Sequence, residues 1–185
     1  MKKLLFFGIF ALTMLGTVSG MAYIIAVGGK YDIGGDLYGC RTIPNSTTPF
    51  VWGQPVGNLT PVSYPSAHLI LGYENGALDI GVGMAGDGVI PISLGGLVLY
   101  GNMSDMIKAY GGGEIVYYVI PGVQGWTFLT LNSKIFGIEI SFPLLPVSAF
   151  AGVGLRFPLV FGPNDYFSFA VGWTAEFGGR FYLMK

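Results

Sequence analysis

The chain has 185 residues, 52% of them hydrophobic and only 10% charged, with a formal net charge of −1. That is too apolar for a disordered chain, too poor in basic surplus for a nucleic-acid binder, and too poor in charge to cover a soluble surface of this size, where about a quarter charged is usual. Glycine stands at 31 residues and aromatics at 15%, where about 7% glycine is ordinary; the combination points to a membrane chain.

In chain order, Met1-Lys2-Lys3 is a short positive start, and Leu4 to Val18 is an almost unbroken apolar run. The small residues Gly16 and Thr17 stand at the end of that run, and Ser19, Gly20 and Ala22 follow it. This is the pattern of an export signal cleaved after Gly20 or Ala22, and the run falls short of the roughly 20 residues a spanning helix needs. The expected division is therefore a cleaved signal peptide at 1–22 and a single domain at 23–185. Cys40 is the only cysteine, so an internal disulfide and a cysteine metal cluster are excluded. Leu37-Tyr38-Gly39-Cys40 lies too far beyond the apolar run to be a lipoprotein box.

Residues 23–34 alternate, with Lys30 and Asp32 on the polar face. Residues 35–65, rich in Pro, Asn, Ser, Thr and Gly, read as a long loop. Segments 66–73 and 77–85 join through Glu74-Asn75-Gly76, a strong hairpin signal. In the second of them Leu78, Ile80, Val82 and Met84 oppose Asp79, Gly81, Gly83 and Ala85. Segment 90–100 alternates but shifts phase at Gly95-Gly96, which suggests a bulge. Met103 to Tyr110 suits one short helical turn. Between segments 111–120 and 125–132, Pro121-Gly122-Val123-Gln124-Gly125 reads as a turn, not as a helix centre.

Asn132-Ser133-Lys134 reads as a second tight turn, leading into 135–142, where Phe136, Ile138, Ile140 and Phe142 share a face. In 147–157, Val147, Ala149, Ala151, Val153, Leu155 and Phe157 oppose Ser148, Phe150, Gly152, Gly154 and Arg156. In 166–183 the odd positions from Phe167 to Leu183 are greasy and the even ones carry Ser168, Gly172, Glu176, Gly178, Arg180 and Tyr182.

No apolar run of the mature part is long enough for a spanning helix, and the bilayer's other solution is a closed sheet. The period-two pattern fits it. The face opposite the greasy one holds glycine, alanine, serine and few charges, as a narrow barrel interior requires. The expected fold is all-β: a closed antiparallel up-and-down transmembrane β-barrel. Nine periodic segments are counted where bacterial single-chain barrels carry even numbers. Eight strands follow if 90–100 or 125–132 is not a wall strand, ten if Phe50 to Val56 is one; eight is preferred. The tight turns at 74–76 and 132–134 are assigned to the periplasm and the loop 35–65 to the outside.

The last segment resembles the C-terminal insertion signal of bacterial outer-membrane β-barrel proteins: Glu176, then Gly178, then Phe181 and Leu183. The chain continues to Met184 and Lys185, where that signal usually ends on the hydrophobic residue. The resemblance implies an outer-membrane location, membrane lipid as surroundings and the barrel-assembly machinery as partner during biogenesis. The size is similar to that of small barrels of adhesion, structural and small-solute types.

Little chemistry competes with that reading. Glu139, Arg156, Glu176 and Arg180 fall on polar faces of late strands, where opposite charges would pair and plug the lumen. Trp126, Trp173, Tyr117, Tyr118, Tyr166 and Tyr182 suit aromatic girdles at the membrane interfaces. Ser66 and His68 share a face about 7 Å apart along a strand, too far to work as nucleophile and base. With one His and one Cys, no metal spacing exists, and Gly111-Gly112-Gly113 lacks the context of a phosphate loop; no cofactor is expected. The expected function is a non-enzymatic outer-membrane barrel, structural or surface-interacting, with an unknown external ligand. A narrow porin-like channel for small or apolar solutes is the second reading, and a barrel-embedded lipid-modifying enzyme the third.

Overall fold

A computed structural model describes residues 23–42, 50–54, 57–73, 76–104, 106–142 and 144–184. The signal segment 1–22 lies outside the described residues. Nine strands are described: β1 (Tyr23–Thr42), β2 (Phe50–Gln54), β3 (Ser63–Tyr73), β4 (Gly76–Gly83), β5 (Ile90–Asn102), β6 (Ile107–Val119), β7 (Thr127–Ser141), β8 (Val147–Phe161) and β9 (Phe167–Met184). Each of the strands β3 to β8 pairs antiparallel with the next, and β1 pairs with both β3 and β9. This closes an up-and-down barrel of eight strands, β1 and β3 to β9. Closure leaves the wall no free edge.

β2 stands outside the count. It pairs only with the far end of β1, Gly39 to Thr42, beyond the last β1–β3 pair, Ile33↔Ser63. The expected loop 35–65 is thereby corrected. β1 runs on to Thr42 because β9 continues to pair with it as far as Arg41↔Ser168, so polar composition did not end the strand.

The ninth segment of the sequence count was half of a strand. Segments 125–132 and 135–142 are one strand, β7, and Asn132-Ser133-Lys134 is no turn but its middle, paired with Arg156, Leu155 and Gly154 of β8. A bulge between Lys134 and Phe136 leaves Ile135 as the extra residue. Thr130, Asn132 and Lys134 face inward before it, and Gly137, Glu139 and Ser141 after it. One inserted residue reverses the side-chain phase, which is why the alternation looked like two strands.

Two smaller expectations also fail. β5 runs through Gly95 and Gly96 in unbroken register with β4, and its irregularity falls later, between Leu99 and Gly101. The apparent phase shift arose because Leu97 points inward, into an apolar part of the lumen with Ala26, Ile70, Tyr110 and Phe150. Among the described residues of 103–110 there is no helical turn. A tight turn closes there, with Met103 N–H donating to Ile107 O at 2.9 Å, and β6 starts at Ile107. The one 3-10 turn among the described residues is Gly86–Gly88.

The two faces of the wall differ as a lipid-facing barrel demands. Outward positions such as Val27, Leu69, Ile80, Val82, Leu94, Val153, Val171, Phe177 and Phe181 are exposed around the circumference. A soluble monomer shows apolar patches of a few hundred Å² at most. Inward positions are small or polar. A Cβ on Gly137 would strike the Tyr110 ring, and one on Gly81 would strike His68 and Ser93. At these two positions glycine leaves room for larger lumen side chains.

Candidate functional site

The polar chemistry of the described residues is concentrated in the lumen, in three tiers. The middle tier centres on Lys30 of β1. Its ammonium donates to both carboxylate oxygens of Glu114 at 2.9 Å and to Glu176 Oε2 at 3.3 Å, and it lies 3.3 Å from Asp32 Oδ1. Lys134 of β7 reaches Glu176 Oε2 at 2.9 Å, Asp79 Oδ2 at 3.7 Å and Glu114 Oε2 at 3.9 Å. Tyr110 Oη donates to Glu176 Oε1 at 3.0 Å. All of these side chains are buried. In the eight-strand order, β1 and β6 stand on opposite walls, so the Lys30–Glu114 contact crosses the full width of the barrel.

Asp32, Glu114 and Glu176 bring carboxylate oxygens within 4.8 Å of one another, a spacing that suits a cation. The ammonium of Lys30 already supplies positive charge to all three. These are charges in a narrow, low-dielectric space, and they persist there because each is paired.

The tier at the end of the barrel beyond β1's Asp36 is a cork. In the β2–β3 connection Thr60 turns into the barrel mouth, buried against Thr130 with Oγ1···Oγ1 at 2.9 Å. Arg156 Nε lies 2.8 Å from Asp36 Oδ1. The same guanidinium donates to Thr60 Oγ1 and to the carbonyl of Pro61 at 3.3 Å. Asp36 Oδ2 in turn accepts from Leu59 N–H at 2.7 Å. Asp36 and Arg156, paired with each other, thus fasten the segment together.

The tier at the opposite end joins Glu139, Arg180, Tyr182 and Ser148. Glu139 accepts from Arg180 Nη1, from Tyr182 Oη and, at 2.5 Å, from Ser148 Oγ. The Arg180 guanidinium lies over the Phe150 ring at 4.2 Å.

The four charged residues singled out from sequence therefore all sit in the lumen but in separate tiers: Glu176 in the middle, Arg156 at the cork, Glu139 with Arg180 at the far end. The charged partners of Glu176 and Arg156, namely Lys30, Lys134 and Asp36, were not among them. Lys30 and Asp32 did stand out on the polar face of 23–34. Glu114 was not singled out, and Lys134 was read as part of a turn.

Ser66 and His68 correct a distance argument. Ser66 Oγ is 2.8 Å from His68 Nε2, and His68 Nδ1 is 2.5 Å from Asp79 Oδ1. The backbone spacing of about 7 Å overstated the gap, because side chains on one strand face lean along the strand. The arrangement has the order of a nucleophile, base and orienting acid. The cavity beside His68 and Asp79 holds about 10 Å³, room for one water.

Of the expected girdle, Trp126, Trp173 and Tyr117 are exposed on the outside, and Tyr166 packs on Trp126 at 5.0 Å between centroids. Tyr182 is not part of it. It occupies an inward position and bonds Glu139. Tyr118 is also inward, packed edge-on against Tyr64 at 6.1 Å. In the C-terminal motif, Glu176 faces the lumen, Gly178 lies against Lys30 of β1, and Phe181 and Leu183 are exposed outside.

A closed eight-stranded antiparallel barrel with a greasy outer wall and a packed polar interior is the fold of small outer-membrane β-barrel proteins. Among solved structures the chain is similar to Neisserial surface protein A, at 12% identity and a TM-score of 0.40, over 82% of this chain and 95% of that one. No family model matches the chain, and no curated protein does.

Proposed function

We propose that this protein is an outer-membrane barrel of structural or surface-interacting type, with a plugged lumen and no enzymatic activity. The observation that carries the reading is the Lys30–Glu114 contact between opposite walls, at 2.9 Å. A wall-to-wall ion pair obstructs the axis of the barrel, and the buried Thr60 obstructs it a second time. The export signal at 1–22 and the C-terminal motif support delivery to the bacterial outer membrane, with membrane lipid around the wall and the barrel-assembly machinery as partner during insertion. Short connections face the periplasm in such barrels. The short connections from β3 to β4 and from β5 to β6 join their strands at one end, which makes that end periplasmic. The opposite end then presents β2 and the segments around it to the outside, as the surface for an external ligand.

Single-channel recording in planar bilayers tests the plug. The wild-type barrel is expected to give no steady conductance steps; regular steps would establish the narrow channel instead. The Ser66–His68–Asp79 chain favours a hydrolase in its order but not in its space, since an acyl group does not fit a cavity for one water. In this reading it satisfies buried polar groups, and replacing His68 with Ala leaves outer-membrane lipid acylation unchanged in cells.

A further inference from the structure

The middle tier around Lys30 carries more negative charge than its own cations answer. Asp79 has His68 Nδ1 at 2.5 Å besides Lys134 at 3.7 Å. The other three carboxylates, Asp32, Glu114 and Glu176, then share two ammoniums, those of Lys30 and Lys134. The remaining cations of residues 23–184 stand elsewhere. Arg156 is held by Asp36 and Arg180 by Glu139, Arg41 is exposed near the end of β1, and Lys108 is in register with Glu139 at the far end. Among the described residues the tier is one positive charge short.

One oxygen marks where the shortage falls. Asp32 is only 5% exposed, and its Oδ1 faces Lys30 at 3.3 Å. Its Oδ2 is buried as well and has no hydrogen-bond partner among the described residues. A buried carboxylate oxygen without a partner bears the cost of its lost hydration. Asp32 lines a cavity of about 10 Å³ together with Glu114, Glu176, Asn132, Thr174 and Lys134, room for one body of water's size. Lys30 does not line it. The cavity therefore offers the three carboxylates a second cation position, apart from the ammonium they already share.

We propose that this cavity is a binding site for one dehydrated monovalent cation of sodium's size, held by Asp32 Oδ2 and by carboxylate oxygens of Glu114 and Glu176, with side-chain oxygens of Asn132 and Thr174 completing its shell. One positive charge makes up the shortage. The carboxylate oxygens lie within 4.8 Å of one another, a spread that suits contacts of about 2.3–2.6 Å, those of calcium with oxygen. Sodium has calcium's radius and half its charge. Calcium itself would bring a second charge against the ammonium of Lys134 in the same lining. Magnesium keeps several waters, for which the cavity has no room, and a neutral water would leave the charge unanswered. Enclosed at mid-lumen, the ion is taken up as the barrel folds, and through that linkage it stabilises the fold. The site stands whether or not the external face has a ligand.

The test is urea unfolding of the full-length mature barrel in zwitterionic phospholipid vesicles, at fixed pH and ionic strength, with sodium chloride replacing tetramethylammonium chloride. An ion bound only by the folded state raises the folding equilibrium constant about tenfold for each tenfold rise in free ion above its dissociation constant. The wild-type protein is expected to show that dependence in sodium and a weaker one in the larger potassium. Asp32→Asn, which removes the charge and keeps the shape, is expected to abolish the sodium dependence. A folding constant that stays the same when sodium replaces tetramethylammonium would overturn the proposal, since a proton or a water would then serve Asp32. An equal response to sodium and potassium would also overturn it, as would a sodium dependence that Asp32→Asn retains. The ion comparisons are made on the wild-type protein, so they decide the matter even where the variant fails to fold.

Discussion

The outer wall and the lumen of this barrel are built from the same strands, and they obey different rules. Outside, Ile80, Val82, Leu94 and Val153 are exposed and make no specific polar contact; any apolar side chain of similar size meets the same requirement. Inside, Lys30 serves Glu114, Glu176 and Asp32 at once, and Gly137 is a glycine because Tyr110 occupies the space a Cβ would need. The wall is specified by pattern and the lumen by position. Period two alone locates the first; the second depends on which residues face one another across the closed sheet.

The largest expected effect breaks the lumen at its most shared cation. Lys30→Met leaves Asp32, Glu114 and Glu176 buried with only Lys134 to oppose them, and removing one partner of a buried pair costs about 3–5 kcal/mol. Urea unfolding in phospholipid vesicles measures it. A loss under about 1 kcal/mol would mean that the middle tier is hydrated and exchangeable, like a surface, given the usual worth of exposed pairs.

A smaller but still large effect breaks the wall by sign instead of position. Ile80→Arg places a charge outward on β4, paired with Leu69 and Leu94 on its two neighbours. The expected cost is about 2–4 kcal/mol if this level is the bilayer midplane, falling toward zero near an interface. The same substitution at successive outward positions of β3 and β4 would trace the depth of each residue. A flat profile would contradict a membrane-embedded wall.

The difference between the regions also explains what could be read in advance. β8 was legible because its greasy and small faces alternate without a break from Val147 to Phe157. β7 was not, because the bulge at Ile135 reverses its phase, and a bulge of one ordinary isoleucine has no residue signature. Leu97 and Tyr182 misled for a shared reason. Lumen residues were expected to be polar and girdle aromatics to face outward, yet the lumen turns apolar around Ile70 and Leu97, and Tyr182 is needed inside by Glu139. The pairing of Lys30 with Glu114 spans 84 positions of sequence. It follows only from closure of β1 on β9 and from the register of every strand between. Alternation shows that Lys30 faces inward, not what it meets there.

The two smallest expected effects sharpen the comparison because they add carbon to each face. Val82→Leu adds a methylene to an outward side chain that is 53% exposed; lipid accommodates it, and the change in stability stays within about 0.5 kcal/mol, as for other surface substitutions. Gly137→Ala adds as little, one methyl, but aims it at the Tyr110 ring. Tyr110 cannot simply swing away, since its hydroxyl donates to Glu176 at 3.0 Å and its ring packs against Phe150 at 6.3 Å. Overpacking of this kind costs about 1–3 kcal/mol. Gly137→Ala in a Tyr110→Leu background removes the obstructing ring, and the alanine is then expected to cost less than it does alone. A penalty that persists without the ring would place the strain in the β7 backbone and not in the lumen.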